Sequence, residues 1–317
     1  MINKIGIVGG GNIGGVLVSE IVSRRLARNV GLVDIAPPEF AKGKCLDIAE
    51  ATPVYGNDIN LEGSKTYEVL EGADFVINTA GVPRKAKPDG SFPSREELLA
   101  TNLKITDFVA AGIKKYAPNA FVISIANPLD AIVYRLFKKL RCKPNKIMGM
   151  AGVLDSSRYK YFVAKEANVS VENVEAVVLG GHGDTMVPIR SACRIYGLPV
   201  EQFVKKTALA KIEKRTRGAG GEVVGLLGSG SAFVSPAISA LEMVEAIAFD
   251  KRKIIPAAAY LKGEYGVKGM FLGVPVILGK NGIEEIVKIK LTPEEKKALR
   301  VSINAVKGTC AAVDKVK

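Results

Sequence analysis

The sequence predicts an α/β fold: a doubly wound parallel sheet over residues 1–150, followed by an α+β unit over residues 151–317. Three observations predict it. Short apolar runs alternate with helical stretches through the first half, the order that builds a parallel sheet through crossover helices. A glycine run, Gly9-Gly10-Gly11-Asn12-Ile13-Gly14, follows the first apolar run directly. Beyond residue 150 the alternation gives way to long helices and hairpin-like strands, so a second kind of unit begins there.

The first unit is the clearest. Residues 5–8 read as a strand, the glycine run opens a helix reaching about Arg25, and residues 30–33 read as a second strand ending on Asp34. Gly9, Gly11 and Gly14 satisfy GxGxxG: the first permits the tight turn, the second lets a pyrophosphate approach the backbone, and the third allows close helix–strand packing. The helix start then presents free N–H groups to phosphates, with Gly10, Asn12 and Ile13 completing the loop. Asp34 comes twenty residues after Gly14, where a carboxylate accepts from ribose hydroxyls and repels a 2′-phosphate. A Rossmann unit binding NAD, and not NADP, is expected.

The remaining elements follow in order. Residues 35–51 read as a proline-initiated helix, 59–64 as a strand and 74–81 as a buried strand. After a proline-rich loop over 82–94, Ser94-Arg95-Glu96-Glu97 has capping-box spacing and starts a long helix. A strand over 120–125 ends at Ala126-Asn127-Pro128, and a helix and a short strand over 146–150 close the first half. The next helix carries Asp155 and Arg158 three apart, hence on one face. Residues 173–179 (NVEAVVL) read as one buried strand, 205–227 and 234–249 as helices, 254–260 and 271–278 as strands, and Thr292-Pro293 as the start of a final helix. Residues 237–247, charged only at Glu242 and Glu245, suit packing between subunits or within one.

Composition narrows the class. Four scattered cysteines with no CxxC pair, and one histidine, suggest neither a metal site nor a disulfide framework. No window of eighteen uninterrupted apolar residues occurs, and the start lacks a signal-peptide succession, so a cytoplasmic protein with no membrane partner is expected. A net charge of +13 draws anions. Its lysines and arginines are spread over helix faces without aromatic interleaving, which favours a small anionic substrate over nucleic acid.

The single histidine, His182, follows the apolar run and sits among Gly180, Gly181 and Gly183, with Asp184-Thr185 beyond it. A turn at a strand end is where open α/β folds place reacting groups. An imidazole there is a natural general acid and base. An imidazole serving structure alone would not call for those glycines. Arg84, Arg95, Asp155 and Arg158 also fall at strand ends, at helix starts or beside turns. Together they offer what redox chemistry on a hydroxy acid needs: forked cations for a carboxylate and a carbonyl, and a carboxylate to orient the histidine.

With these residues in place, the chain resembles the lactate/malate dehydrogenase family over essentially its whole length, and looks most like malate dehydrogenases of the lactate-dehydrogenase-like type. The motifs are GGGNIG (9–14), TAGVPRK (79–85), SREELLATN (94–102), ANPLD (126–130), GVLDSSR (152–158) and GGHGDT (180–185). The resemblance implies that His182 carries the proton with Asp155 as its partner, that Arg158 clamps the C1 carboxylate, and that Arg95 polarises the carbonyl. It implies that Asn127 contacts substrate, and that Asn102, Ile125, Ala126 and Asn127 line the nicotinamide end of the site. It also implies a homo-oligomer, a tetramer in this family. Arg84 in VPRK is similar to the arginine that malate enzymes pair with the second carboxylate of oxaloacetate, and Ala232 to the small residue across their pocket. Between Arg84 and Arg95 the segment KAKPDGSFPS is longer than the usual malate-type loop and resembles that of apicomplexan lactate dehydrogenases, whose tryptophan there fills the pocket. This chain has no tryptophan, and Phe92 is the candidate substitute. NAD-dependent malate dehydrogenase is the first reading, and lactate or dual specificity the second. Outside this class stands a Rossmann protein that binds dinucleotide or nucleic acid without catalysis.

Overall fold

A computed structural model describes residues 2–37, 39–82, 94–228 and 230–316, with the side chain of Arg95 outside the described set. The first half runs β1 (Ile2–Val8), α1 (Asn12–Arg24), β2 (Ala27–Val33), α2 (Phe40–Tyr55), β3 (Asn60–Ser64), β4 (Phe75–Asn78), α3 (Arg95–Tyr116), β5 (Phe121–Ser124), α4 (Leu129–Leu140) and β6 (Ile147–Gly149). Its six strands lie in the order β3-β2-β1-β4-β5-β6 and pair in parallel throughout. The chain reverses its direction of growth between β1 and β4, so a crevice opens beyond their carboxyl ends. Both strands are buried along nearly their whole length, because helices cover the two faces of the sheet.

The second half adds α5 (Gly152–Ala167), the two-residue strands β7 (Val174–Glu175), β8 (Val178–Leu179), β9 (Val187–Pro188), β10 (Arg194–Ile195) and β11 (Leu198–Pro199), then α6 (Lys206–Leu227), α7 (Val234–Ala248), β12 (Lys253–Lys262), β13 (Lys268–Gly279), β14 (Gly282–Ile286) and α8 (Pro293–Lys315). The last three strands form an antiparallel meander that joins the edge of the parallel sheet, Ala258 pairing with Gly149, so one nine-stranded sheet runs through both halves.

Local signals account for several element ends. Ser94 accepts from the Glu97 N–H at 3.0 Å while Glu97 accepts from the Ser94 N–H at 2.8 Å, and Thr292 and Glu295 do the same for α8. Each such cap stabilises its helix by about 1 kcal/mol. The helix expected over 35–51 begins instead at Phe40 and runs to Tyr55, with Pro53 in its last turn and Gly56 in the left-handed region closing it.

One reading is corrected. Residues 173–179 are not a single strand, because the run changes partners midway. Val174 and Glu175 pair with β10, whereas Val178 and Leu179 pair with β9. The apolar stretch 237–247 packs inside the subunit: Ala237, Ala240, Leu241, Val244 and Ile247 are buried in the main core. Its two acids pair at the surface, Glu242 with Lys253 and Glu245 with Arg24 and Lys251.

Candidate active site

The cofactor end is built on a glycine turn in which Gly9 and Gly14 leave no room for a side chain. Gly9 has φ +100°, and a Cβ there would come within 2.5 Å of the Thr79 hydroxyl oxygen on the neighbouring strand end. A Cβ on Gly14 would drive into the carbonyl of Gly9, whereas one on Gly11 would meet nothing within 4 Å. The turn is thus closed on its protein side and open on the side where α1 presents its first N–H groups. That is the cradle a pyrophosphate needs.

Asp34, at the end of β2, accepts the N–H of Gly10 through Oδ2 at 2.5 Å and the N–H of Ala36 through Oδ1 at 2.8 Å. Two backbone donors fix the carboxylate beside the glycine turn, and each oxygen retains a lone pair for a ribose hydroxyl. Replacing Asp34 with serine is expected to raise the NADPH-to-NADH ratio of kcat/KM by about tenfold or more, since both the accepted hydroxyl bond and the repulsion of a 2′-phosphate are lost. An unchanged ratio in steady-state assays would assign the choice to another group.

From this turn a cavity of about 540 Å³ runs along the carboxyl ends of the strands. Gly11, Asn12 and Ile13 line one end, Ile125, Ala126 and Asn127 the middle, and Arg158 and His182 the other end. Asn102 lies behind this wall. Its side chain is buried and is taken up by the main chain of Val82, through both amide atoms, and by the carbonyl of Asn127 at 2.9 Å. It holds together the two segments that flank the cavity.

His182 sits where β8 ends. Gly180 and Gly273 of β13 exchange two backbone hydrogen bonds at 2.9 and 3.0 Å, an approach that only glycines allow, because a Cβ on Gly273 would meet the Gly180 carbonyl. The next two N–H groups are held from behind, Gly181 by the Ser302 hydroxyl and His182 by Asp130, both at 2.9 Å. The imidazole is thereby aimed at α5, whose first turn brings Asp155 Oδ2 to 2.8 Å from Nδ1. An ionised carboxylate can only accept, so Nδ1 carries the hydrogen and Nε2 is left for the cavity. The other oxygen of Asp155 faces Arg158 Nη1 at 3.4 Å. Asp155 is 2% exposed and is thus shared between the ring and the guanidinium.

Burial works against a charged imidazole, yet the Asp155 carboxylate and its hydrogen bond, with Asp130 adding to them, outweigh it and hold the proton above the ordinary histidine range. Arg158 opposes this, and burial in turn lowers its own proton affinity. A ring that binds a proton tightly but reversibly, beside a guanidinium that matches a carboxylate, can exchange that proton with a substrate oxygen.

Arg84 and Phe92 lie outside the described residues, as does the Arg95 side chain, although its main chain opens α3. Of the far wall the sequence reading singled out Ala232 alone. The wall is contributed by Gly220 and Val224 of α6 and by the turn into α7, including Ser231, Ala232 and Phe233. A Cβ on Gly220 would lie 3.9 Å from the Arg158 guanidinium, so glycine leaves open space above that cation. The signal was present as GAGGEVVG, an uncommon density of glycine for a helix.

A dinucleotide cradle that opens into a carboxylate-binding, proton-exchanging cavity has the chemistry of NAD-dependent 2-hydroxy acid dehydrogenases, and the protein is one of them. The chain belongs to the lactate/malate dehydrogenase family: residues 3–149 match the model of its NAD binding domain, and residues 152–315 that of its alpha/beta C-terminal domain. Similar solved structures include the Cryptosporidium parvum lactate dehydrogenase in complex with lactic acid and β-nicotinamide adenine dinucleotide, 41% identical over 100% of this chain and 99% of that one, TM-score 0.94. The malate dehydrogenase of the same organism is 38% identical over 99% of each chain, TM-score 0.93. That of Salinibacter ruber is 38% identical over 99% of this chain and 98% of that one, TM-score 0.92.

Proposed function

We propose that the protein is an NAD-dependent malate dehydrogenase, interconverting (S)-malate and oxaloacetate. The observation that carries the choice of malate is the far wall of the cavity: Ala232, with only a methyl group, leaves room for a second carboxylate. Val82 at the rim is two residues from Arg84, which supplies the charge to receive it.

NAD would be held by Gly9 to Gly14 and Asp34, with Ile125, Ala126 and Asn127 beside the nicotinamide end, and would supply the hydride acceptor or donor. Arg158 binds the C1 carboxylate through its fork, and Asn127 helps place the substrate. Arg95 polarises the carbonyl. When oxaloacetate is reduced, its carbonyl oxygen takes the proton from His182 Nε2, and Asp155 stabilises the imidazolium until the proton leaves. In malate oxidation the neutral ring takes the hydroxyl proton back. Keto-acid reduction therefore needs the protonated ring and falls as pH rises through its raised pKa, while malate oxidation rises over the same interval.

A second reading, lactate or dual specificity, is supported by the long segment between Arg84 and Arg95 and by the similarity to a lactate dehydrogenase structure. Initial rates with oxaloacetate and pyruvate side by side test the two. A parent enzyme with higher kcat/KM for pyruvate overturns the malate assignment.

The working form is a cytoplasmic homotetramer with no nucleic-acid or membrane partner. Among the described residues no helix is long and apolar enough to cross a membrane. Leu46, Val54 and Tyr55 of α2 and Leu226 and Leu227 of α6 are exposed on the isolated chain, apolar side chains suited to subunit contacts. Light scattering is expected to give about four times the 33.7 kDa chain mass, and a monomer mass rejects the oligomer.

A further inference from the structure

Behind His182 lies a buried carboxylate that the proton transfer described above does not use. Asp130 stands in the first turn of α4, 8% exposed, and its Oδ2 accepts the main-chain N–H of His182 at 2.9 Å. Its Oδ1 is buried with no hydrogen-bond partner among the described residues. One residue earlier in the same loop, the N–H of Gly181 is satisfied at the same distance by the hydroxyl of Ser302 from α8. A neutral acceptor would serve the second amide as well as it serves the first. Hydrogen bonding alone therefore does not account for an acid here, least of all one whose second oxygen is buried without a partner among the described residues. What a carboxylate adds over a neutral acceptor is charge, and it adds it beside the imidazole.

We propose that Asp130 is a positioning residue for His182: its carboxylate anchors the main chain of the histidine from behind, and its negative charge joins that of Asp155 in holding the transferable proton on the ring. The inference rests on His182 being the proton carrier of the proposed reaction. The charged groups facing the imidazole are Asp155 and Arg158 from α5 and Asp130 from α4. Those facing Asp130 are His182 and Asp155, while the nearby Cys310 thiol of α8 is pushed by burial to about 12 and stays neutral. Burial also pushes the Asp130 carboxyl up, to about 6, so it is ionised at neutral pH. An ionised Asp130 favours the imidazolium, so its removal lowers the pH at which the ring gives up its proton.

Because the chain has one histidine, ¹³C-histidine labelling of the full-length protein gives a single imidazole resonance whose titration is read without any assay of activity. In Asp130→Asn, which keeps the shape and the amide acceptor, the midpoint is expected to fall by about one pH unit. The high-pH loss of keto-acid reduction is expected to move down with it. Ser302→Ala, which loosens the same loop without touching charge, should leave the midpoint in place. An unchanged midpoint in Asp130→Asn overturns the proposal, as does an equal fall in Ser302→Ala, which would assign the effect to a loosened loop. If the asparagine variant does not fold, the parent answers the same question. The amide proton of His182, donated to Asp130, shifts as that carboxyl titrates, and the imidazole resonance must show the same inflection, whose absence overturns the proposal. A resonance that moves while the rate profile does not follow supports the role of Asp130 but counts against His182 as the proton carrier.

Discussion

Replacing His182 with asparagine is expected to lower kcat by about 10³-fold, roughly 4 kcal/mol of transition-state stabilisation, while NADH binds as it does to the parent. The separation follows from the cavity, whose glycine turn, backed by Asp34, lies at one end and whose histidine lies at the other. Asparagine cannot take or give a proton near neutral pH. It also leaves Asp155 buried beside Arg158 alone, the nearest of whose contacts is the longer one at 3.4 Å. Asp155→Asn is expected to cost less than loss of the ring, since the imidazole stays but its protonated form is no longer favoured. Stopped-flow NADH oxidation gives the turnover, and isothermal titration calorimetry with NADH gives the affinity. Undiminished turnover in His182→Asn returns the histidine to a structural role.

Arg84→Gln is expected to erase a preference for oxaloacetate over pyruvate of about a hundredfold, near 3 kcal/mol, by bringing the two kcat/KM values together. The expectation rests on the guanidinium meeting the substrate's distal end, where it would be costly opposite the methyl group of pyruvate and well matched opposite a carboxylate. The measurement is kcat/KM for both keto acids in parent and variant. A ratio left untouched by the substitution shows that Arg84 does not select the substrate and turns attention to Phe92 and to the wall formed by Val224 and Ala232.

What the sequence determined by itself is what depends on near neighbours in the chain. The glycine turn of residues 9–14 was legible because its demands are local: a positive φ at Gly9 and a contact between residues five apart, Gly9 and Gly14. Asp34 was legible because a strand end fixes where its carboxylate points, and the starts of α3 and α8 because a capping box spans four residues. His182 stood out as a lone imidazole among glycines, and Asp155 with Arg158 as a charged pair one helical turn apart. Tertiary structure alone decided what depends on which surfaces meet. The run 173–179 satisfies the pattern of one buried strand, yet β10 and β9 each claim part of it. The stretch 237–247 satisfies an interface as well as a core until α1 and the sheet are seen to bury it. Asp130 and Ser302 converge on adjacent amides of the histidine loop from sequence separations of 52 and 121 residues. Side-chain periodicity tells which face of an element is apolar but not which distant element will cover it, so a polar group brought to the catalytic loop from behind emerges only when the whole core is packed.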